Sequence, residues 1–358
     1  MSRPGRRRAG LVKKLALLTI ALVVGCLLVE AGIRVFSHFF FQKLMVVDAT
    51  FGWRHAPNRS KSFRNEDGES ILVEQNEHGQ RGPAVPLARV AGKYRVLVLG
   101  DSFTEAIHVT DANTFVRRVE QSGADLEMIN AGVGAWGTVQ EWLYLDKVGV
   151  SFTPDLVLVV FYENDLADNL MSYVPGIGAR PYARVGSSGV TVVEDYDDAA
   201  YLRFVLPIPF ASFLVRHSYA FYALNERVWQ ATFKRKFRRL EDADRNALKL
   251  ADKKAALGAL LARVRSSAAG VHAKVGLVLI PTAADAASGE SATHVWVRQW
   301  CAAHEFPSLS LLDPLHASVK RGERPYFDVD IHWTKTGHRV AAQAITPFVA
   351  KLRATTGK

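Results

Sequence analysis

Cysteine is almost missing from this chain: 358 residues hold two, Cys26 inside an apolar run and Cys301 alone. No internal disulfide is expected, a disulfide-stapled miniprotein is excluded, and the redox compartment stays open. With 26 Gly and 14 Pro, collagen is excluded, and 49% hydrophobic against 22% charged residues excludes a mostly disordered chain. Tandem repeats are not apparent, and neither zinc-finger spacing nor another nucleic-acid signature occurs. What remains is a length that suits two domains, or one α/β domain with insertions, and a sizeable core.

A net charge of +10 raises nucleic acid or an anionic membrane as a partner. Its location argues against nucleic acid. Arg3, Arg6, Arg7, Arg8, Lys13 and Lys14 carry six charges before any acid, and Lys234, Arg235, Lys236, Arg238 and Arg239 carry five, so the remaining body stands at −1.

Behind the first basic cluster, Leu15 to Val29 (LALLTIALVVGCLLV) bears no charge. Fifteen residues at about 1.5 Å each reach only about 22 Å, short of a hydrocarbon layer of roughly 30 Å. The run extends to Ile33 if Glu30 sits at the interface. No convincing cleavage site follows, which favours an uncleaved anchor over a signal peptide. Lipidation at Cys26, within Val23-Val24-Gly25-Cys26, and a buried soluble helix are the other readings. The positive-inside rule keeps the N-terminus cytoplasmic. The expectation is a single-pass protein of the cell inner membrane: a basic cytoplasmic segment at 1–14, an anchor at 15–33, and a periplasmic or extracytoplasmic body.

Residues 34–92 read as a polar, turn-rich juxtamembrane connector, followed by the main domain at 93–358. Arg95 to Leu99, Leu126 to Asn130, Leu156 to Phe161, Val275 to Ile280 and Ser308 to Leu312 are short apolar runs ending in Gly, Pro or Asp. Helical patterns separate them, notably Thr138 to Lys147, Ala251 to Ser267, Ser291 to Ala303 and Lys335 to Leu352. This alternation predicts a parallel α/β sheet. Residues 170–245 do not fit it and read as a mostly helical insertion. They include a Gly/Pro-rich part, an acidic knot (Glu194, Asp195, Asp197, Asp198) and an aromatic pattern from Phe210 to Phe237 ending in KRKFRR. The insertion is a solvated cover, a lid, or a face for anionic headgroups.

Ligands in open α/β sheets gather beyond the carboxyl ends of strands. Gly100-Asp101-Ser102, Asn130-Ala131-Gly132-Val133-Gly134-Ala135 and Asn164-Asp165 fall there, and Asp330-Ile331-His332-Trp333 precedes the last helix. A serine on a sharp turn attacks a carbonyl once a base takes its proton. His332 supplies that base through one ring nitrogen, and a carboxylate two residues earlier holds the other. Backbone N–H groups of Ser102 and the Gly134-Ala135 turn, with the Asn164 amide, would meet the oxyanion. Asp165 reads as loop support and His338 as a structural helix-start residue. His108 has no nameable partner.

In this order, VLVLGDSFTEA, INAGVGAWGT, FYENDLADN and DIHWTKTGH resemble the four blocks of the SGNH (GDSL-type) hydrolase superfamily, over roughly Arg95 to Leu352 without the insertion. The resemblance implies a flavodoxin-like fold with a five-stranded parallel sheet flanked by helices, and serine-dependent ester hydrolysis or acyl transfer without metal or cofactor. By position Ser102 is the nucleophile, His332 the base, Asp330 its orienter with Asp328 as fallback, and Asn164 an oxyanion donor. Three features depart from the family pattern: Ala135 where a glycine usually donates, Tyr162 in the third block, and Asp-x-His instead of Asp-x-x-His. The anchor and the shorter spacing are similar to membrane-associated bacterial members, and also to polysaccharide O-acetyltransferases of the alginate type. The expected substrate is an acyl or acetyl ester, on a cell-envelope carbohydrate. An O-acetyltransferase, or a non-catalytic scaffold for glycan or a partner acyltransferase, are the alternatives.

Overall fold

Residues 44–92 do more than connect. They form two antiparallel hairpins, β1 (Met45–Asp48) with β2 (Gly52–His55) and β3 (Ser60–Arg64) with β4 (Ser70–Glu74). The computed structural model describes residues 4–40, 44–175, 177–197, 210, 213–214, 217–228 and 234–355, with backbone alone at 4–9, 37–40, 222–223, 226 and 234–238. These fall into two compact units: one holds the N-terminal helix and the helix Tyr219–Val228, the other 44–197 and 239–355.

In the larger unit the five expected apolar runs become β5 (Tyr94–Gly100), β6 (Leu126–Gly132), β7 (Leu156–Phe161), β12 (Lys274–Leu279) and β13 (Ser308–Ser310). Between β7 and β12 lie two short antiparallel ribbons, β8 (Tyr173–Val174) with β9 (Gly178–Ala179) and β10 (Tyr182–Gly186) with β11 (Gly189–Val193). The five-stranded sheet has the order β13-β12-β7-β5-β6, every pair parallel. Counted among themselves its strands run 2-1-3-4-5, the doubly wound order in which winding reverses between the first and third strands. β5 and β7 therefore send their chains to opposite sides at their carboxyl ends, and a crevice opens there.

The strands are apolar on both faces because both are covered. Leu97, Leu99, Val157 and Val159 join one core, with residues of the helices Thr138–Lys147 and Leu250–Ala269. Val96, Val98, Leu158 and Val160 join the other, with Phe115–Glu120 and Lys335–Ala354. A Cβ at Gly132 would strike the backbone of Glu105, so the end of β6 comes this close to the turn after β5 only as glycine.

Residues 44–92 pack into the same unit as the sheet. Trp53 and Trp136 are both buried and exchange backbone for indole: Trp136 Nε1 donates to Trp53 O and Trp53 Nε1 to Gly134 O, both at 3.0 Å. Arg81, 1% exposed, donates to the carbonyls of Glu105 (2.6 Å), Ala106 and Val109 (2.5 Å). Short hairpins with polar turns read as a linker because their partners are elsewhere in the chain.

The smaller unit contains the helix Pro4–Phe40. Within it Gly10–Phe36, 27 residues, is long and apolar enough to cross a membrane by length and composition; a signal sequence meets the same criterion. At about 1.5 Å per residue it reaches roughly 40 Å, and the helix continues unbroken past Glu30. Glu30 takes Arg34 Nε (2.7 Å), Ser218 Oγ (2.8 Å) and the N–H groups of Tyr219 and Ala220 (2.9 and 3.0 Å). A carboxylate at these donors offsets the open end of the helix Tyr219–Val228.

The insertion is less helical at its start than expected, since β8 to β11 occupy its first part in the larger unit. Of the acidic knot, Glu194 pairs with Lys147 at 2.5 Å. Asp198, residues 199–209 and part of the Phe210–Phe237 pattern lie outside the described residues; KRKFRR opens the helix Lys234–Ala247.

Replacing Arg81 with Met should strand three buried carbonyls and cost about 3 kcal/mol of stability. Thermal denaturation of the detergent-solubilised protein checks this: the midpoint should fall by at least about 5 °C, and an unchanged midpoint would show 44–92 to be expendable packing.

Candidate active site

β5 ends at Gly100 in a sharp turn. Asp101 Oδ1 accepts the N–H of Phe103 at 2.9 Å, starting the one-turn helix Ser102–Glu105, which Ala106 stops with a left-handed φ of 58°. Ser102 thus stands at the crevice predicted from the winding order. Its Oγ lies 2.6 Å from His332 Nε2, across 230 residues of sequence. On the far side of the ring, His332 Nδ1 is 2.5 Å from Asp330 Oδ1. With the proton on Nδ1, this nitrogen donates to Asp330 and Nε2 accepts the serine O–H.

The short Asp-x-His spacing works through a local turn. Asp330 Oδ1 also accepts the backbone N–H of His332 at 2.9 Å, so one carboxylate oxygen fixes both main chain and ring. Asp328 instead faces Arg324 at 3.2 Å with its side chain 71% exposed. The hydrogen bond from His332 holds the Asp330 carboxyl well below its usual range, against an opposing effect of burial.

His108, partnerless in the sequence, lies beside this pair. Its ring stacks on His332 at 4.3 Å and 19°, and its Nε2 is 3.4 Å from Asp330 Oδ2. Burial, then the neighbouring His332, lowers it to about 4, so it is neutral at pH 7. His108, Asp330 and His332 are the one cluster among the described residues that offers three metal-ligand atoms close together. Zinc binds imidazole nitrogen at about 2.1 Å, and two rings stacked this way cannot both hold one ion near their planes. The arrangement suits hydrogen bonding instead.

On the oxyanion side, the Gly134 N–H is taken by the buried Glu105 carboxylate, which also meets His55 Nε2 at 2.9 Å. Ala135 has a left-handed φ of 61°, a strain of roughly 1 kcal/mol for a non-glycine residue. Among the described residues no acceptor meets its N–H. Asn164, on the turn after β7, donates Nδ2 to Asp168 Oδ2 at 2.7 Å and also bonds to the Asp101 carboxyl. Arg180, fully buried, links the two segments: it donates to Ala135 O (2.8 Å), Asp168 O (2.7 Å) and Met171 O (3.1 Å). Arg180, Glu105 and His108 escaped the sequence because each acts through a contact far from its own motif.

Behind the turn lies a group of buried carboxyls. Burial pushes Asp101 up to about 6. Glu141 and Asp165 are fully buried; burial and then their carboxyl neighbours raise both well above the ordinary range. Neither Glu141 oxygen has a partner among the described residues. Asp165 Oδ2 accepts the Tyr162 N–H at 3.1 Å, the loop support expected of it. His338 is buried, takes the Phe115 N–H on Nδ1 at 3.3 Å, and burial lowers it well below its usual value, as a packed neutral residue requires.

No family model matches the chain, and no curated protein does. Among solved structures, it is similar to a lipolytic protein of the G-D-S-L family from Veillonella parvula, with TM-score 0.41, 11% identity, and coverage of 72% of this chain and 99% of the other. An acetylxylan esterase from Geobacillus stearothermophilus, solved as a catalytic mutant, gives 0.39, 11%, 72% and 94%. A two-domain esterase active on acetylated mannans gives 0.40, 15%, 75% and 52%. At this level of similarity the chemistry has to be read from this chain's own side chains.

The raised carboxyls give stability a definite pH slope. The folded protein keeps protons on Glu141 and Asp165 that the unfolded chain releases above their ordinary 4.5 and 3.8, so the native state binds more protons and loses stability as pH rises, by about 1.4 kcal/mol per pH unit per proton. Asp330 has the opposite sign: its contribution is present above its ordinary 3.8 and fades as pH falls. Glu141→Gln removes one such proton and should therefore be more stabilising at pH 8 than at pH 5. Urea denaturation at both pH values tests it; an equal change at each would mean that Glu141 is ionised in the native state.

Proposed function

We propose that the chain is a serine esterase of the SGNH type, cleaving an acyl or acetyl ester through an acyl-serine intermediate. One observation carries this reading: Oγ, imidazole and carboxylate form an unbroken chain at 2.6 and 2.5 Å. His332 Nε2 takes the Ser102 proton as Oγ bonds to the ester carbonyl carbon. The carbonyl π electrons move onto oxygen, and Asp330 stabilises the imidazolium that results. The intermediate collapses, the alcohol leaves with the proton from Nε2, and Ser102 is acylated. Water then attacks the acyl carbon and gives a proton to Nε2; the C–Oγ bond breaks as Nε2 returns that proton to Oγ, releasing acid and free serine.

The donors for the oxyanion are the N–H of Ser102 and, of the two turn residues, Ala135 in preference to Gly134, whose N–H Glu105 already holds. Asn164 contributes the amide hydrogen that the developing oxyanion takes from Asp101. Such donors act on charge that exists only during reaction, which is where they lower a barrier.

The reading includes an N-terminal membrane anchor, a cytoplasmic basic segment and an exported catalytic unit, supported by the 27-residue apolar stretch and the charges before it. An acetyl ester on a cell-envelope carbohydrate is its finer part. Two of the similar structures are named for acetylated xylan and mannan.

Ser102→Ala should abolish release of 4-nitrophenol from its acetate and abolish labelling by a fluorophosphonate, while the thermal midpoint stays unchanged. Full turnover in that variant would remove the assignment. Asn164→Ala should lower kcat by about 100-fold to 1000-fold with KM nearly constant. A loss confined to KM would make Asn164 a binding group.

A further inference from the structure

The loop that carries Asp330 and His332 has little to anchor it. Phe327 and Trp333 are buried at its ends, yet Val329 is 88% and Ile331 55% exposed, so no apolar side chain between them reaches the core. Its backbone donors turn instead to one residue more than 260 positions earlier. Glu66 Oε1 accepts the N–H of Asp328 at 2.9 Å, and Oε2 accepts those of Val329 and Asp330 at 3.0 and 2.8 Å. Glu66 lies in the turn of the β3–β4 hairpin, in the segment that reads as a mere connector. Its neighbours grip the same region. Asp67 pairs with Arg324 at 2.5 Å, Glu69 with Lys335 at 2.7 Å, and Asn65 Nδ2 donates to the carbonyl of His108 at 3.1 Å.

From this convergence we infer that the β3–β4 turn is a clip for the catalytic loop and that Glu66 is a positioning residue for Asp330, resting on the esterase reading above. Glu66 touches neither serine nor imidazole. It fixes the peptide N–H of Asp330, and with it the point from which that carboxylate reaches both the ring and the N–H of His332. Three charge-assisted bonds to consecutive amides define a direction as well as a position. The clip also holds the carbonyl of His108, whose ring backs His332, so both sides of the imidazole are referred to one hairpin. A displacement near 1 Å in such a site costs roughly 100-fold in rate.

The test uses the full chain in detergent. Glu66→Ala should lower kcat for 4-nitrophenyl acetate by about 10-fold to 100-fold, with KM within about twofold. Glu66→Gln, which keeps one carbonyl acceptor, should recover part of the loss. In an Asp330→Asn background Glu66→Ala should cost nothing further, because the group it positions is already disabled; a merely structural loss would add in both backgrounds. Hydrogen exchange needs no activity: the amides of Asp328, Val329 and Asp330 should exchange at least about tenfold faster in Glu66→Ala. Unchanged exchange, or a loss of kcat that persists undiminished in Asp330→Asn, would overturn the clip. Faster exchange with Ser102→Ala still active would sink the esterase reading alone.

Discussion

A single imidazole has to be held still between a hydroxyl and a carboxylate that reach it from opposite directions. His332 receives Ser102 from the end of β5 and Asp330 from its own loop. The first partner is fixed by the sheet, because Gly100 pairs with both Gly132 and Val160 and the turn after it has no room to shift. The second is fixed by a loop with exposed apolar side chains and no core contact between Phe327 and Trp333. The site therefore joins a rigid half to a half that needs external support, and the β3–β4 turn and the stacked His108 lie at that weaker half.

The buried electrostatics have the same asymmetry. Beneath the nucleophile turn, Glu141 and Asp165 are fully buried and burial keeps their protons on, while Asp101, pushed up only to about 6, gives its proton up below neutrality. Beside them Asp168 is ionically paired, at 3.1 Å to Arg180 and 2.7 Å to Arg245. Neutral acids impose little field on the catalytic centre, whereas an ionised cluster would oppose the negative charge of an oxyanion. Arg180 donates to the carbonyls on both sides of the oxyanion region. It joins the Ala135 turn to the Asn164–Asp168 segment, so both candidate donors are referred to one buried cation.

Legibility in the sequence follows contact range. The five sheet strands are readable because each is a short apolar run stopped by a turn residue, and Ser102 and Asn164 because strand ends in an open α/β sheet are where ligands collect; His332 is legible instead from the carboxylate two residues before it, ahead of the last helix. The sequence favours Asp330 with Asp328 as fallback; what spacing does not show is the Asx-type turn in which one Asp330 oxygen takes two donors. Gly134 against Ala135 stays open in the sequence, since nothing in INAGVGAWGT reveals that Glu105 engages one N–H. Residues 44–92 read as a connector because their hairpins are only four or five residues per strand, too short for a clear alternation. His108, Arg180 and Glu66 left no signal at all, as each gains its meaning from a partner far away in sequence.

That distribution has a physical reason. A serine hydroxyl and an imidazole need particular chemistry, so their identities survive in a motif, but the groups that aim them need only a donor or acceptor at the right place. A backbone N–H donates to any carboxylate that reaches it, and a carbonyl accepts from any buried guanidinium. A short Asp-x-His loop gains a compact turn at the acid but leaves Val329 and Ile331 facing solvent. Its support then has to come from outside the loop, and the nearest elements not already committed to the sheet are the hairpins before β5. The segment least like an enzyme in its sequence thereby becomes the one on which the orientation of the acid depends.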